Sequence, residues 1–99
     1  MSVAILARLE AKPGKEVELA TFLAGALPLA EAEKTTTSWF ALQLGPGTFG
    51  IFDTFPDAAG RQAHLEGAIA KALFAKAPEL LDRPPSIEMV DLLAMKLPG

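Results

Sequence analysis

The sequence predicts an α+β domain of ferredoxin-like βαββαβ order, built on an antiparallel sheet. Three observations predict it. Strand-like and helix-like hydrophobic periods alternate along the chain in that order. A short Gly-Pro-Gly turn joins the two middle strands into a hairpin. The strands are apolar on both faces, in a chain of 99 residues of which 51% are hydrophobic. So small a globule has little interior for its surface, which leaves apolar area uncovered. Uncovered area of that kind marks an interface. Residues 1–99 read as a single domain, and an oligomer is expected.

Each element follows from its own pattern. "SVAILARLEA" alternates, with Val3, Ile5, Ala7 and Leu9 on one face and Ala4, Leu6, Arg8 and Glu10 on the other. That is a strand signal. "KPGK" turns the chain into a helix whose stripe is Leu19, Phe22, Leu23, Ala26, Leu27 and Ala30. Pro28 should kink or end that helix near Leu27, leaving "LAEAEK" as a looser last turn. "TTTSWFALQL" is β-branched and aromatic, hence a strand. Trp39, Ala41 and Gln43 point one way; Phe40, Leu42 and Leu44 point the other. After the turn at 45–47, "TFGIFDTF" returns antiparallel, with Phe49, Ile51, Asp53 and Phe55 on one face. Asp57 is a suitable N-cap for a second helix with the spine Leu65, Ile69 and Leu73. "SIEMVDLLAMKL" reads as a last strand, apolar on both faces and so expected inside a sandwich. Two such sheets packed together would cover those faces.

Several functions are set aside by composition. The net charge is -3, and no run of Lys or Arg builds a positive stripe, so nucleic acid is not an expected partner. No stretch approaches the roughly 18 apolar residues of a membrane span. The N-terminal run lacks a basic region and a cleavage signal, so a cytoplasmic protein is expected. One histidine and no cysteine cannot build the usual zinc site, and no metal is expected. "GPGTFG" joins two strands and opens no helix, so it is no phosphate loop. No serine stands in a nucleophile-elbow pattern.

The stretches "ARLEAKPGKEVELATFL", "TTTSWFALQL", "GIFDTFPDAAGRQAHLEG" and "IEMVDLLAMK" resemble the antibiotic-biosynthesis-monooxygenase (ABM) type of dimeric α+β barrel. The run F-D-x-F-x-D-x-A-G-x-x-A-H-L at 52–65 carries most of the likeness. The resemblance implies a homodimer packed sheet against sheet, with a pocket in each protomer between its helices and its own sheet. It implies one of three functions. The first is a cofactor-free oxygenase acting on a hydroquinone-like or anthrone-like aromatic. The second is a non-catalytic dimeric ligand-binding or interaction protein. The third is a haem-degrading enzyme. Relatives use tyrosine and asparagine for deprotonation and oxyanion binding, and this chain has neither. Trp39 and His64 are its only matches in kind.

Four residues carry candidate chemistry on physical grounds. His64, with an ordinary pKa of about 6.5, is suited to take a proton from a weakly acidic phenol. It lies at the boundary of the helix spine, facing either a pocket edge or solvent. Asp53, a carboxylate in an apolar strand, is a candidate base or is tied to neighbouring donors. Trp39 offers a flat wall and one oriented N–H, or is a large core side chain. Gln43, on the Trp39 face, is a candidate oxyanion donor or a solvated strand end. In the oxygenase reading His64, helped by Asp53, takes the proton while Trp39 and Phe52 wall the pocket. No cofactor is expected. Glu16, Glu18, Glu31 and Glu33 read as solubilising surface charges.

Overall fold

The computed structural model describes residues 2–98. The elements are β1 (Val3–Glu10), α1 (Glu16–Gly25), α2 (Leu27–Ala32), β2 (Ser38–Gln43), β3 (Thr48–Phe55), α3 (Ala58–Leu65), α4 (Ala68–Leu80) and β4 (Ser86–Asp91). The four strands form one antiparallel sheet in the order β2-β3-β1-β4. This is the α+β, ferredoxin-like arrangement that the pattern of periods predicts.

The alternation in β1 and β3 decides which face is covered. Val3, Ile5, Ala7 and Leu9 stand opposite Phe55, Asp53, Ile51 and Phe49, and all eight are buried. Leu19 and Leu23 of α1 and Leu73 and Leu80 of α4 close over this face to make the larger core cluster. Val3, Ile5 and Phe55 form a smaller cluster beside it. Burying side chains of this size contributes roughly 1.5–3 kcal/mol each, so these two clusters hold the helices to the sheet. The other face carries Leu6, Phe40, Leu42, Phe52 and Val90, with Phe40 49% exposed.

Three elements depart from the sequence expectation. The first helix breaks at Ala26, and Leu27–Ala32 is a regular helix with Pro28 in its first turn. Proline is tolerated there because the first N–H groups of a helix have no intrahelical partner. The second helix is two: α3 ends at Leu65, and Gly67 caps α4 after its N–H has bonded back to the His64 carbonyl. A glycine costs helix stability, and here it sits at the break. The last strand stops at Asp91, which pairs with Val3, the first residue of β1. Just past it the Leu92 N–H bonds to the Ser2 carbonyl at 3.3 Å, outside the regular strand. β4 is also an edge strand of this sheet, and Leu93 beyond it is fully exposed. Among the described residues no second sheet covers it. Among the described residues no helix is long and apolar enough to cross a membrane.

Candidate functional site

Asp53 reaches the interior by register. The period of two that buries Ile51 and Phe55 also buries the residue between them, and Asp53 is 1% exposed. An ionised carboxylate so placed needs a counter-charge. His64 supplies it from α3. Asp57 caps that helix, its carboxylate accepting from the Gly60 N–H at 2.8 Å. Gly60 and His64, one turn apart, are the buried residues of the helix. His64 is 8% exposed, so of the two boundary orientations it takes the inward one.

Both ring nitrogens of His64 face a carboxylate. Nε2 lies 2.9 Å from Asp53 Oδ2, a charge contact between ring and carboxylate. Nδ1 lies 2.7 Å from Glu33 Oε1 in good hydrogen-bond geometry. Phe55 packs on the ring at a centroid distance of 5.2 Å. Burial by itself disfavours the charged ring. The carboxylates of Asp53 and Glu33 outweigh it, and the pKa of His64 is raised above 6.5.

Glu33 is the residue that sequence reasoning missed, having been taken for a surface charge. It ends α2, its N–H bonding to the Ala30 carbonyl, and its Oε1 accepts the Thr36 hydroxyl at 2.6 Å. Gly60 lets the loop after α2 approach α3 closely, since an added Cβ would lie 3.2 Å from Thr35 Cβ. Nothing in the local pattern separates Glu33 from Glu31. Only the packing of two distant segments does.

The expected pocket is divided. Asp53 and His64 line a cavity of about 30 Å³ between the helices and the sheet, with Ile5, Ile51, Leu73 and Ile87 among its walls. That is room for a water, not for an aromatic ring. Trp39 stands opposite Asp53 in the β2–β3 register, on the same face. It borders a separate hollow of about 210 Å³ with Leu27, Ala30, Glu31, Thr36 and Ser38. Gln43 lies farther along β2, donates to the Gly45 carbonyl at 3.2 Å and lines a third depression. Phe52 corrects the expectation outright. It pairs with Leu6 and Phe40 on the face turned away from the helices, because the same alternation that buries Asp53 sends its neighbour outward. It cannot wall a pocket that holds His64.

Three buried polar atoms have no hydrogen-bond partner among the described residues. Oδ2 of Asp53 makes only the charge contact to His64. The other two, Nε1 of Trp39 and Oδ1 of Asp53, make no contact of either kind. Asp53 and Glu33 occupy opposite nitrogens of His64 and so cannot converge on one cation. Among the described residues no cluster of His, Cys, Asp and Glu could hold a metal ion.

No family model matches the chain, and no curated protein does. Solved structures match closely. NE2512, a protein of unknown function from Nitrosomonas europaea, is 64% identical over 99% of this chain and 95% of its own, with a TM-score of 0.97. Rv0793 from Mycobacterium tuberculosis is 21% identical over 96% and 98%, at a TM-score of 0.83. A second Nitrosomonas europaea protein, provisionally assigned as an antibiotic biosynthesis monooxygenase, is 14% identical over 93% and 90%, at 0.82. At that identity the likeness is one of fold. The chain belongs to the same family as NE2512, and its fold is that of the ABM proteins.

Proposed function

We propose that this chain is a cofactor-independent monooxygenase of the ABM type, acting on an electron-rich aromatic hydroxyl compound such as a hydroquinone or anthrone. The observation that carries the reading is Asp53 Oδ1, a deeply buried carboxylate oxygen without a hydrogen-bond partner among the described residues, beside an apolar cavity. With an anthrone, the ring CH₂ and O₂ become C=O and H₂O; with a hydroquinone, a ring C–H and O₂ give a hydroxyquinone and H₂O. In either case the substrate gives up four electrons and O₂ accepts four, so the substrate is its own reductant. The protein has to remove a proton and keep the anion dry.

Both nitrogens of His64 are engaged, which leaves Asp53 Oδ1 as the atom free to take that proton. The roles therefore exchange: Asp53 is the base, and His64 is the positioning residue that supplies its counter-charge, steadied in turn by Glu33. The same geometry weakens the haem reading, because the only histidine has no nitrogen left for iron. A second reading, a dimeric ligand-binding protein without chemistry, draws on the small size of the cavity at Asp53.

The functional unit in either reading is a homodimer. Phe40, Leu42, Leu6, Phe52 and Val90 form an apolar sheet face without a cover in one protomer, and a second copy fits it by self-complementarity. The experiment is O₂ uptake with hydroquinones and anthrones offered to the purified protein. Uptake that is abolished in Asp53→Asn supports the oxygenase. A ligand that raises the melting temperature with no O₂ consumed supports the binding protein.

A further inference from the structure

We propose that Trp39 and Asp53 together form a subsite for one hydroxyl group, in which the indole N–H donates to the ligand's oxygen and the carboxylate accepts the ligand's O–H. The inference deepens the oxygenase reading and rests on it for the class of ligand, an electron-rich phenol.

Trp39 and Asp53 each leave a hydrogen bond unmade. Nε1 of Trp39 is a donor only, and Oδ1 of Asp53, when ionised, is an acceptor only. Both are shielded from solvent, and both lack a partner among the described residues. Buried polar atoms are nearly always bonded, so each such atom calls for an explanation. Asp53 Oδ2 has the His64 ring beside it. That leaves a donor and an acceptor, Nε1 and Oδ1, on residues directly opposite each other in the β2–β3 register and on the same face of the sheet. Cross-strand partners have Cβ atoms about 4.5–5.5 Å apart. Yet donor and acceptor do not bond to each other.

A group that satisfies both must accept on one side and donate on the other. A hydroxyl does this, as does a water. An ether or ketone only accepts, and an ammonium only donates, so neither completes the pair. The cavity of about 30 Å³ beside Asp53 admits such a group and little more. The hollow of about 210 Å³ beneath α2 is lined by Trp39 and not by Asp53, and the Asp53 cavity is not lined by Trp39. The ring would therefore lie in the hollow, with its hydroxyl directed between the two residues. When Asp53 takes the O–H proton, the ligand oxygen becomes an oxyanion and keeps its bond from Trp39. That bond strengthens as the charge develops, which is the condition for stabilising an anion ahead of its reaction.

The test uses the fact that the chain has one tryptophan, hence one indole N–H resonance. Under anaerobic conditions the ¹⁵N-labelled protein is titrated with hydroquinone and, separately, with its dimethyl ether. Hydroquinone is expected to move the Trp39 indole resonance downfield, and the ether to leave it in place. Trp39→Phe is expected to weaken hydroquinone roughly fivefold, the loss of one hydrogen bond, with no effect on the ether. An indole resonance unmoved at saturation, equal binding of the two compounds, or no hydroquinone binding at all overturns the subsite. The parent spectrum decides this even if the variant does not fold. O₂ uptake separates the two proposals. A moved resonance without uptake keeps the subsite and ends the oxygenase, whereas uptake with an unmoved resonance does the reverse.

Discussion

The Nδ1 atom of His64 lies 2.7 Å from Oε1 of Glu33, so the last turn of α3 is tied to the residue that closes α2. Through the other nitrogen the same ring meets Asp53 on β3. One imidazole thus joins three segments that are far apart in the chain. It also places a positive charge where two carboxylates need one.

This arrangement sets a pH dependence. The folded protein holds the His64 proton more tightly than the unfolded chain, since its pKa is raised above 6.5. Stability from this group is therefore fully present below the unfolded pKa of about 6.5 and is lost as pH rises through the folded value. NMR titration of the sole histidine is expected to give a midpoint above 6.5, and urea midpoints are expected to fall on the alkaline side. A midpoint at or below 6.5 contradicts the pairing with two carboxylates.

Removing the ring is expected to cost more than removing its outer partner. His64→Ala leaves Asp53 as a buried carboxylate without a counter-charge, at roughly 3–5 kcal/mol of stability. Glu33→Gln keeps an oxygen for the Nδ1–H at a partly exposed position, so its cost is smaller, about 1 kcal/mol. Urea unfolding of the two variants checks the order. Equal costs mean that Asp53 does not depend on the imidazole.

Two glycines in and beside the hairpin separate close packing from open space. A Cβ at Gly50 would lie 2.9 Å from the Ala7 carbonyl oxygen, a backbone atom that cannot swing aside. Gly50→Ala is expected to destabilise by roughly 1–3 kcal/mol, the usual cost of overpacking. Gly45, in the turn, has nothing within 4 Å of such an atom. Gly45→Ala is expected to change stability by no more than about 0.5 kcal/mol. Thermal unfolding of the pair reads the difference.

The uncovered sheet face predicts association. Phe40, on the edge strand β2, stands beside Phe52 and is half exposed in the single chain. Sedimentation at micromolar concentration is expected to find dimers of the parent protein. Phe40→Glu, which sets a charge into the proposed interface, is expected to give folded monomers. A parent protein that is monomeric and folded removes the interface and the sheet-to-sheet picture with it.

Much of the fold was legible in the residues themselves, because period and capping are local properties. The alternation at 3–9 and 49–55 announced two strands with one buried face, and Asp57 announced the start of α3. Apolar residues on both sides of the sheet likewise announced a face that needs a cover. Breaks and ends were harder. Gly67 divides a helix whose spine reads as continuous, and β4 stops at Asp91, opposite Val3, although its apolar pattern runs on. A strand's length depends on its neighbour, which its own residues do not encode.

The candidate site divides in the same way. Asp53, His64 and Trp39 stood out by residue type and position, but their relation did not. Glu33 was indistinguishable from the other surface glutamates until packing brought the end of α2 against α3. Phe52, next to Asp53 in the chain, went to the opposite face. Residue type and period decide which groups are present and which side of an element they take. Distance between segments is decided by how helices settle on a sheet, and a proton-handling site is made of those distances.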